Sequence, residues 1–305
     1  MTPMKPPQRT RTICAAGLAA LAGIVCLPFA AEAHRQWMLP SATVLSGSDP
    51  WVTVDAAISN DLFYFEHFPM RLKGIGTPPP SAMRGGGKGP SRRAGLAPPE
   101  LVITAPDGTR AEAENGAVGR YRTTFDVHLT KPGTYKMAVV NESLFASWKE
   151  GSETRRWRGT PEKLATEVPA NAEGLKITQS QRRLELFVTA GKPTTDVLKP
   201  TGKGLELVPV THPNDLVAGE AAKFRFTLDG QPAANMAVEI IPGGIRYRDK
   251  LNEVKAKTDA DGILAFTLPT PGMYWLEAEV RDEKSTVKGA TRRASYITTL
   301  EAQAP

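Results

Sequence analysis

The chain has 305 residues, in which 38 Lys and Arg against 32 Asp and Glu give a formal charge of +6. That excess is too mild to make nucleic acid a partner. Both cysteines, Cys14 and Cys26, lie in an apolar stretch near the start, so the rest of the chain has no disulfide framework, zinc–cysteine cluster or thiol nucleophile.

Residues 1–33 read as a secretory signal. Lys5, Arg9 and Arg11 supply a basic start, "ICAAGLAALAGIVCLPFA" an apolar core, and "AEA" a small-x-small cleavage site. The uncharged run is at the short end for a bilayer and closes on Pro28, which argues against a membrane span. Val25 before Cys26 argues against a lipid anchor, and "RTR" is not a twin-arginine pair. Cleavage after Ala33 lowers the formal charge to +4 by removing Lys5, Arg9, Arg11 and Glu32. About 270 residues then remain, enough for one large or two medium domains with real cores. The expected location is the periplasm, with no membrane span in the mature chain.

Past residue 40, short runs rich in Val, Ile, Thr, Phe and Tyr alternate with Gly, Pro, Asp and Asn, the pattern of antiparallel β-sandwiches. In chain order the expected strands are "WVTVDAAI", "LVIT", "RTTFDVHL", "TYKMAVV", "LELFVT", "LELVPV", "KFRFTL", "MAVEII", "ILAFTL", "MYWLEAEV" and "ASYITT". One short helix is expected at "TPEKLATEV", with Thr160 as N-cap. Residues 70–100 hold six Lys or Arg against one Glu amid Gly and Pro, and read as a long basic surface loop or a docking site for an acidic partner or lipid head groups. "FDVHLTKPGTYKMAVV" and "LAFTLPTPGMYWLEAEV" repeat one design: an alternating strand, a Pro-Gly turn, then a Tyr opening the next strand. Tyr135 and Tyr274 are therefore expected to be equivalent corner residues of two Ig-like β-sandwich domains. In the second, Tyr274, Leu276, Ala278 and Val280 share one strand face, and Trp275, Glu277 and Glu279 the other. The Gly-, Pro- and Lys-rich stretch 189–204 marks the boundary, giving domains of 34–195 and 200–305.

Four histidines bound the metal chemistry: His34, His67, His128 and His212. A chain cut after Ala33 carries an α-amine and an imidazole on one residue, and these can close a chelate ring on nickel, copper, cobalt or zinc. A second imidazole would complete a three-nitrogen brace. His67 is the expected partner, because "DLFYFEHFPM" concentrates Asp61, Glu66, His67 and Met70; if extended, it puts Phe63, Phe65 and His67 on one face. His128 is expected to face solvent beside Asp126, and His212, before Pro213, to be a turn residue. Enzyme motifs are absent: there is no G-x-S-x-G, H-E-x-x-H, Walker loop or strand-borne G-x-G-x-x-G. No catalytic residue is nominated, and the chain is not expected to be an enzyme.

Four stretches together resemble a known family: "AHRQWMLPS", "DLFYFEHF", "RLELFVTAGKPT", and "LELVPVTHPNDLVAGEAAKFRFTLDGQPAANMAVEI" with "TDADGILAFTLPTPGMYWLEA". They are similar to the DUF4198 family of exported bacterial proteins, related to periplasmic components of nickel and cobalt uptake systems. The resemblance implies two Ig-like sandwiches linked to transition-metal uptake, beside a membrane metal transporter or outer-membrane receptor. It carries the family's Ala-His start onto Ala33 and His34 and no further ligand.

Three functions follow as alternatives. The first is a metal-binding accessory protein holding a divalent ion, nickel ahead of cobalt or copper, as cargo on His34 and His67. The second is a non-catalytic module that docks to a receptor, transporter or polysaccharide through the basic loop and exposed aromatics such as Trp148 and Trp157. The third is a copper-dependent oxidative enzyme using a His34 brace.

Overall fold

The computed structural model describes residues 34–76 and 97–305; the expected signal and residues 77–96 of the basic segment lie outside them. The first half carries β1 (Arg35–Pro40), β2 (Val44–Leu45), β3 (Trp51–Ser59), β4 (Phe68–Pro69), β5 (Leu101–Thr104), β6 (Arg110–Ala111), β7 (Glu114–Val118) and β8 (Thr123–His128). It continues through β9 (Gly133–Glu150), β10 (Glu153–Gly159), the α-helix α1 (Pro161–Glu167) and β11 (Glu173–Ala190). The second half holds β12 (Leu205–Pro209), β13 (Ala221–Leu228), β14 (Gln231–Pro232), β15 (Ala237–Pro242), β16 (Val254–Lys257), β17 (Ile263–Thr267), β18 (Gly272–Asp282) and β19 (Ala290–Ala302).

These strands form three sheets. One orders β1–β3–β8–β7 with β4 also on β3, and another orders β12–β13–β14 with β17 on β13. Between them runs a ten-stranded sheet, β16–β15–β18–β19–β11–β9–β5–β6, with β10 on β9 and β2 on β11. The fold is therefore all-β, with Ig-like sandwich packing in each half. Strict alternation places the side chains: Val52 and Val54 of β3 and Phe125 and Val127 of β8 enter the first core, while Ala222, Phe224 and Phe226 of β13 enter the second.

The expected boundary falls between the end of β11 at Ala190 and the start of β12 at Leu205. The ten-stranded sheet nevertheless runs through both halves. Its seam is the parallel pairing of β11 with β19, from Ile177 opposite Ala290 to Glu185 opposite Thr298. β18 and β19 consequently bury both faces. Tyr274, Leu276, Ala278 and Tyr296 point into the second core, whereas Trp275 and Ile297 point into the first. The strand face opposite Tyr274 thus carries Trp275, a pillar of the other core.

Both corner tyrosines are built as the repeat predicts. Tyr135 is buried, and its hydroxyl accepts the Lys131 N–H at 2.8 Å. Tyr274 is equally buried; its hydroxyl donates to the Thr270 carbonyl at 2.7 Å and accepts the Thr270 N–H at 3.1 Å. Removing the hydroxyl strands backbone groups that have already lost their water, so Tyr274→Phe should cost about 2 kcal/mol and Tyr135→Phe about half that. Urea unfolding of the two variants checks both the size and the order. The "TDADG" turn also forms: Gly262, at a φ of +74°, donates to the Asp259 carbonyl at 3.1 Å. A Cβ there would lie 2.4 Å from the Phe226 carbonyl oxygen, so only glycine fits.

α1 starts at Pro161 after Thr160 and covers the β9–β10 hairpin. This corrects the reading of Trp157 as an exposed aromatic. Trp157 is buried among Leu144, Ala146 and Val168, and its Nε1–H donates to Glu167 Oε2 at 2.7 Å. Trp148 packs half-buried against the same cluster. A sequence cannot show that a seven-residue helix folds back over its own hairpin.

Candidate metal centre

β3 brings the site together because it is paired on both sides at its C-terminal end. On one side Arg35 of β1 lies opposite Ser59, and on the other Phe68 of β4 lies opposite Ile58. His34 and His67, each one residue beyond those pairs, therefore flank the first residue after the strand, Asn60. Their ring centroids are 4.5 Å apart. His34 Nδ1 lies 2.7 Å from Asn60 Oδ1, and His67 Nε2 lies 2.9 Å from Asn60 Nδ2. The two histidines singled out by sequence are neighbours, and their ring nitrogens face one amide.

The segment bearing His67 is not extended, so the shared face that an extended "DLFYFEHFPM" would give Phe63, Phe65 and His67 does not form. It is a compact turn, with Phe63 at a φ of +61° and the Tyr64 N–H donating to the Asp61 carbonyl at 3.3 Å. The Glu66 carboxylate closes the turn by accepting the N–H groups of Asn60 and Asp61 at 2.8 and 3.0 Å. Partial burial alone would raise the Glu66 pKa, but these two N–H groups, with His67 and Arg246 nearby, hold it below the ordinary carboxylate range. Phe63 and Phe65 are thereby freed to pack on Trp37, each with centroids 5.5 Å away. Met70 is buried in the first core, while Glu66 accepts both N–H groups on Oε1, which also lies 3.8 Å from His67 Nε2.

β1 is anchored independently. The Trp37 Nε1–H donates to Ser59 Oγ at 2.8 Å, and Ser59 Oγ donates on to the Asp61 carbonyl at 2.6 Å. From the ten-stranded sheet, the Trp275 Nε1–H donates to the Gln36 carbonyl at 3.0 Å and Thr299 Oγ1 to the Met38 carbonyl at 2.6 Å. The Arg35 guanidinium sits 5.6 Å from the Trp275 ring centroid and donates to the Asn60 carbonyl at 3.2 Å. His34 itself is exposed at the end of this rigid frame.

The donor set suits a borderline divalent ion. Imidazole nitrogen is a ligand for nickel, copper, cobalt and zinc, and Nδ1 of an N-terminal histidine lies within chelating reach of its own α-amine. Among the described residues no three His, Cys, Asp or Glu side chains gather into a metal cluster.

The other histidines are elsewhere. His128 stacks on Trp51, with centroids 4.2 Å apart, and its Nε2 lies 2.6 Å from Asp49 Oδ1 on the outer face of the first sheet. His212 sits in a turn, where its Nδ1 accepts the Asn214 N–H at 3.1 Å and its Nε2 lies 3.1 Å from the Thr194 carbonyl. Burial depresses its pKa, which keeps it neutral in that role. Asn60 was not singled out in the sequence, where "ISND" reads as an ordinary turn.

A domain family matches residues 31–282, and its description is "Domain of unknown function (DUF4198)". The chain belongs to this family. No curated protein matches the sequence. Among solved structures, a chain described as the D0-D1 domain of Intimin aligns over 87% of this chain and 97% of its own at 13% identity. Its TM-score is 0.20, too loose a likeness to carry an argument. No described helix is long and apolar enough to cross a membrane.

Proposed function

We propose that the protein is a periplasmic metal-binding accessory protein of a nickel- or cobalt-type uptake system, which takes a divalent transition metal as cargo through its mature N-terminus. Export and cleavage after Ala33 would expose the α-amine of His34. That amine and His34 Nδ1 would close a chelate ring, and His67 Nε2 would supply a third nitrogen. The observation carrying this reading is the approach of the two rings to 4.5 Å, with Nδ1 of one and Nε2 of the other facing the same amide. Three neutral or weakly basic nitrogens on an exposed edge suit capture and release, as hand-over to a membrane transporter requires. The binding is non-catalytic.

The test is native mass spectrometry of the untagged mature protein titrated with nickel(II), copper(II), cobalt(II) and zinc(II). One retained ion per chain is expected in the wild type, and a loss of at least roughly tenfold in affinity for His67→Ala, since one good ligand is removed. His128→Ala should bind as the wild type does. Retention unchanged by His67→Ala would contradict the proposal.

A further inference from the structure

Asn60 lies between the two histidines, and nothing in the metal reading requires it to be there. Its position is over-determined: its N–H donates to Glu66 Oε1 at 2.8 Å, its carbonyl accepts from Arg35 at 3.2 Å, and its side chain spans His34 Nδ1 and His67 Nε2 at 2.7 and 2.9 Å. A carboxamide offers one acceptor oxygen and one donor nitrogen, so of the two ring nitrogens facing it one donates and the other accepts, whichever way the amide is turned. Each ring nitrogen has a single in-plane position for a proton or a lone pair. A nitrogen bonded to the amide therefore cannot bind a metal at the same time.

We propose that Asn60 is a displaceable latch: its side-chain amide ties His34 Nδ1 to His67 Nε2 in the metal-free protein, and an incoming divalent metal must break both bonds to bind. This rests on the metal-binding reading above and adds a residue that regulates it. The latch acts through the histidines and is a positioning residue, not a ligand. Its thermodynamic effect has a definite sign. Interactions present only in the metal-free state stabilise that state alone, so they lower affinity by their net worth, whatever they do for the order of the rings. Two partly exposed hydrogen bonds at the low end of the usual net contribution correspond to about a fivefold weakening. The latch would also supply a group ready to take the histidines back, which speeds release.

The experiment compares the untagged mature wild type with Asn60→Ala and Asn60→Ser, using nickel(II) and copper(II) alone as probes. Equilibrium competition with a chromophoric chelator gives affinity, and stopped-flow transfer to that chelator gives release. Serine is too short to bridge both rings, so both variants should bind about fivefold more tightly and release more slowly. Thermal melts without metal and the His128→Ala control identify any general disturbance of the sheet. Weaker or unchanged binding in both folded variants, alongside a wild type that binds, overturns the latch and leaves the metal site standing. Weaker binding would further make the amide oxygen a ligand. A wild type that retains no metal overturns the site and the latch together.

Discussion

Replacing Trp275 by alanine should lower the unfolding free energy by about 4 kcal/mol. The side chain is fully buried in the first core although its strand belongs to the second half, and its Nε1–H satisfies the Gln36 carbonyl of β1. Truncation would open an indole-sized cavity at the junction of the two halves and leave that carbonyl unpaired. Trp275→Phe keeps most of the packing and loses the hydrogen bond, so it should cost about half as much. Urea titrations of the two variants measure the difference. The effect should also reach the site, because Trp275 holds the strand that begins beside His34 and stacks on Arg35, which in turn holds Asn60. Below the unfolding transition, Trp275→Ala should therefore still weaken nickel binding, whereas Phe226→Leu in the second core should not.

A mature chain that retains Ala33 ahead of His34 should lose nickel affinity by roughly a hundredfold. Nothing in the folded domain changes in such a variant. The α-amine is moved one residue away, and the nitrogen on His34 becomes an amide whose lone pair is delocalised into the peptide bond. The ring that Nδ1 and the amine close on a metal is lost, leaving two imidazoles. This single-residue extension separates a site built on the chain terminus from one built on side chains alone, and calorimetric titration of the two N-terminal forms reads it directly. Equal affinity in the two forms would remove the amine from the site.

The strands with one solvent-facing side were legible because alternation is local. β3, β8 and β13 carry their core residues at every second position, and the Pro-Gly-x-Tyr repeat gave both tyrosine corners. The full lengths of β9 and β11, each of 18 residues, were not legible. Their outer ends bury polar side chains, such as Gln179, which bonds Glu142, Ser285 and Thr286 and so interrupts the apolar pattern. The parallel seam between β11 and β19 joins segments more than a hundred residues apart, and no short-range pattern encodes it. At the site, His34 was marked by the cleavage motif and His67 by the scarcity of histidine. The Glu66-capped turn around His67 was not legible, because it depends on a carboxylate reaching back to the N–H groups of Asn60 and Asp61. Asn60 carried no signal, because asparagine after a strand is what any turn would use.

The proposed site depends on where the mature chain begins and what that terminus holds. The most direct measurement is mass spectrometry of the exported, untagged protein, first denatured to read the N-terminus and then native with one equivalent of nickel(II) or copper(II). A chain starting at His34 that retains one ion, and loses it on His34→Ala, is the predicted result. A terminus elsewhere, or a chain starting at His34 that retains no ion, would contradict it.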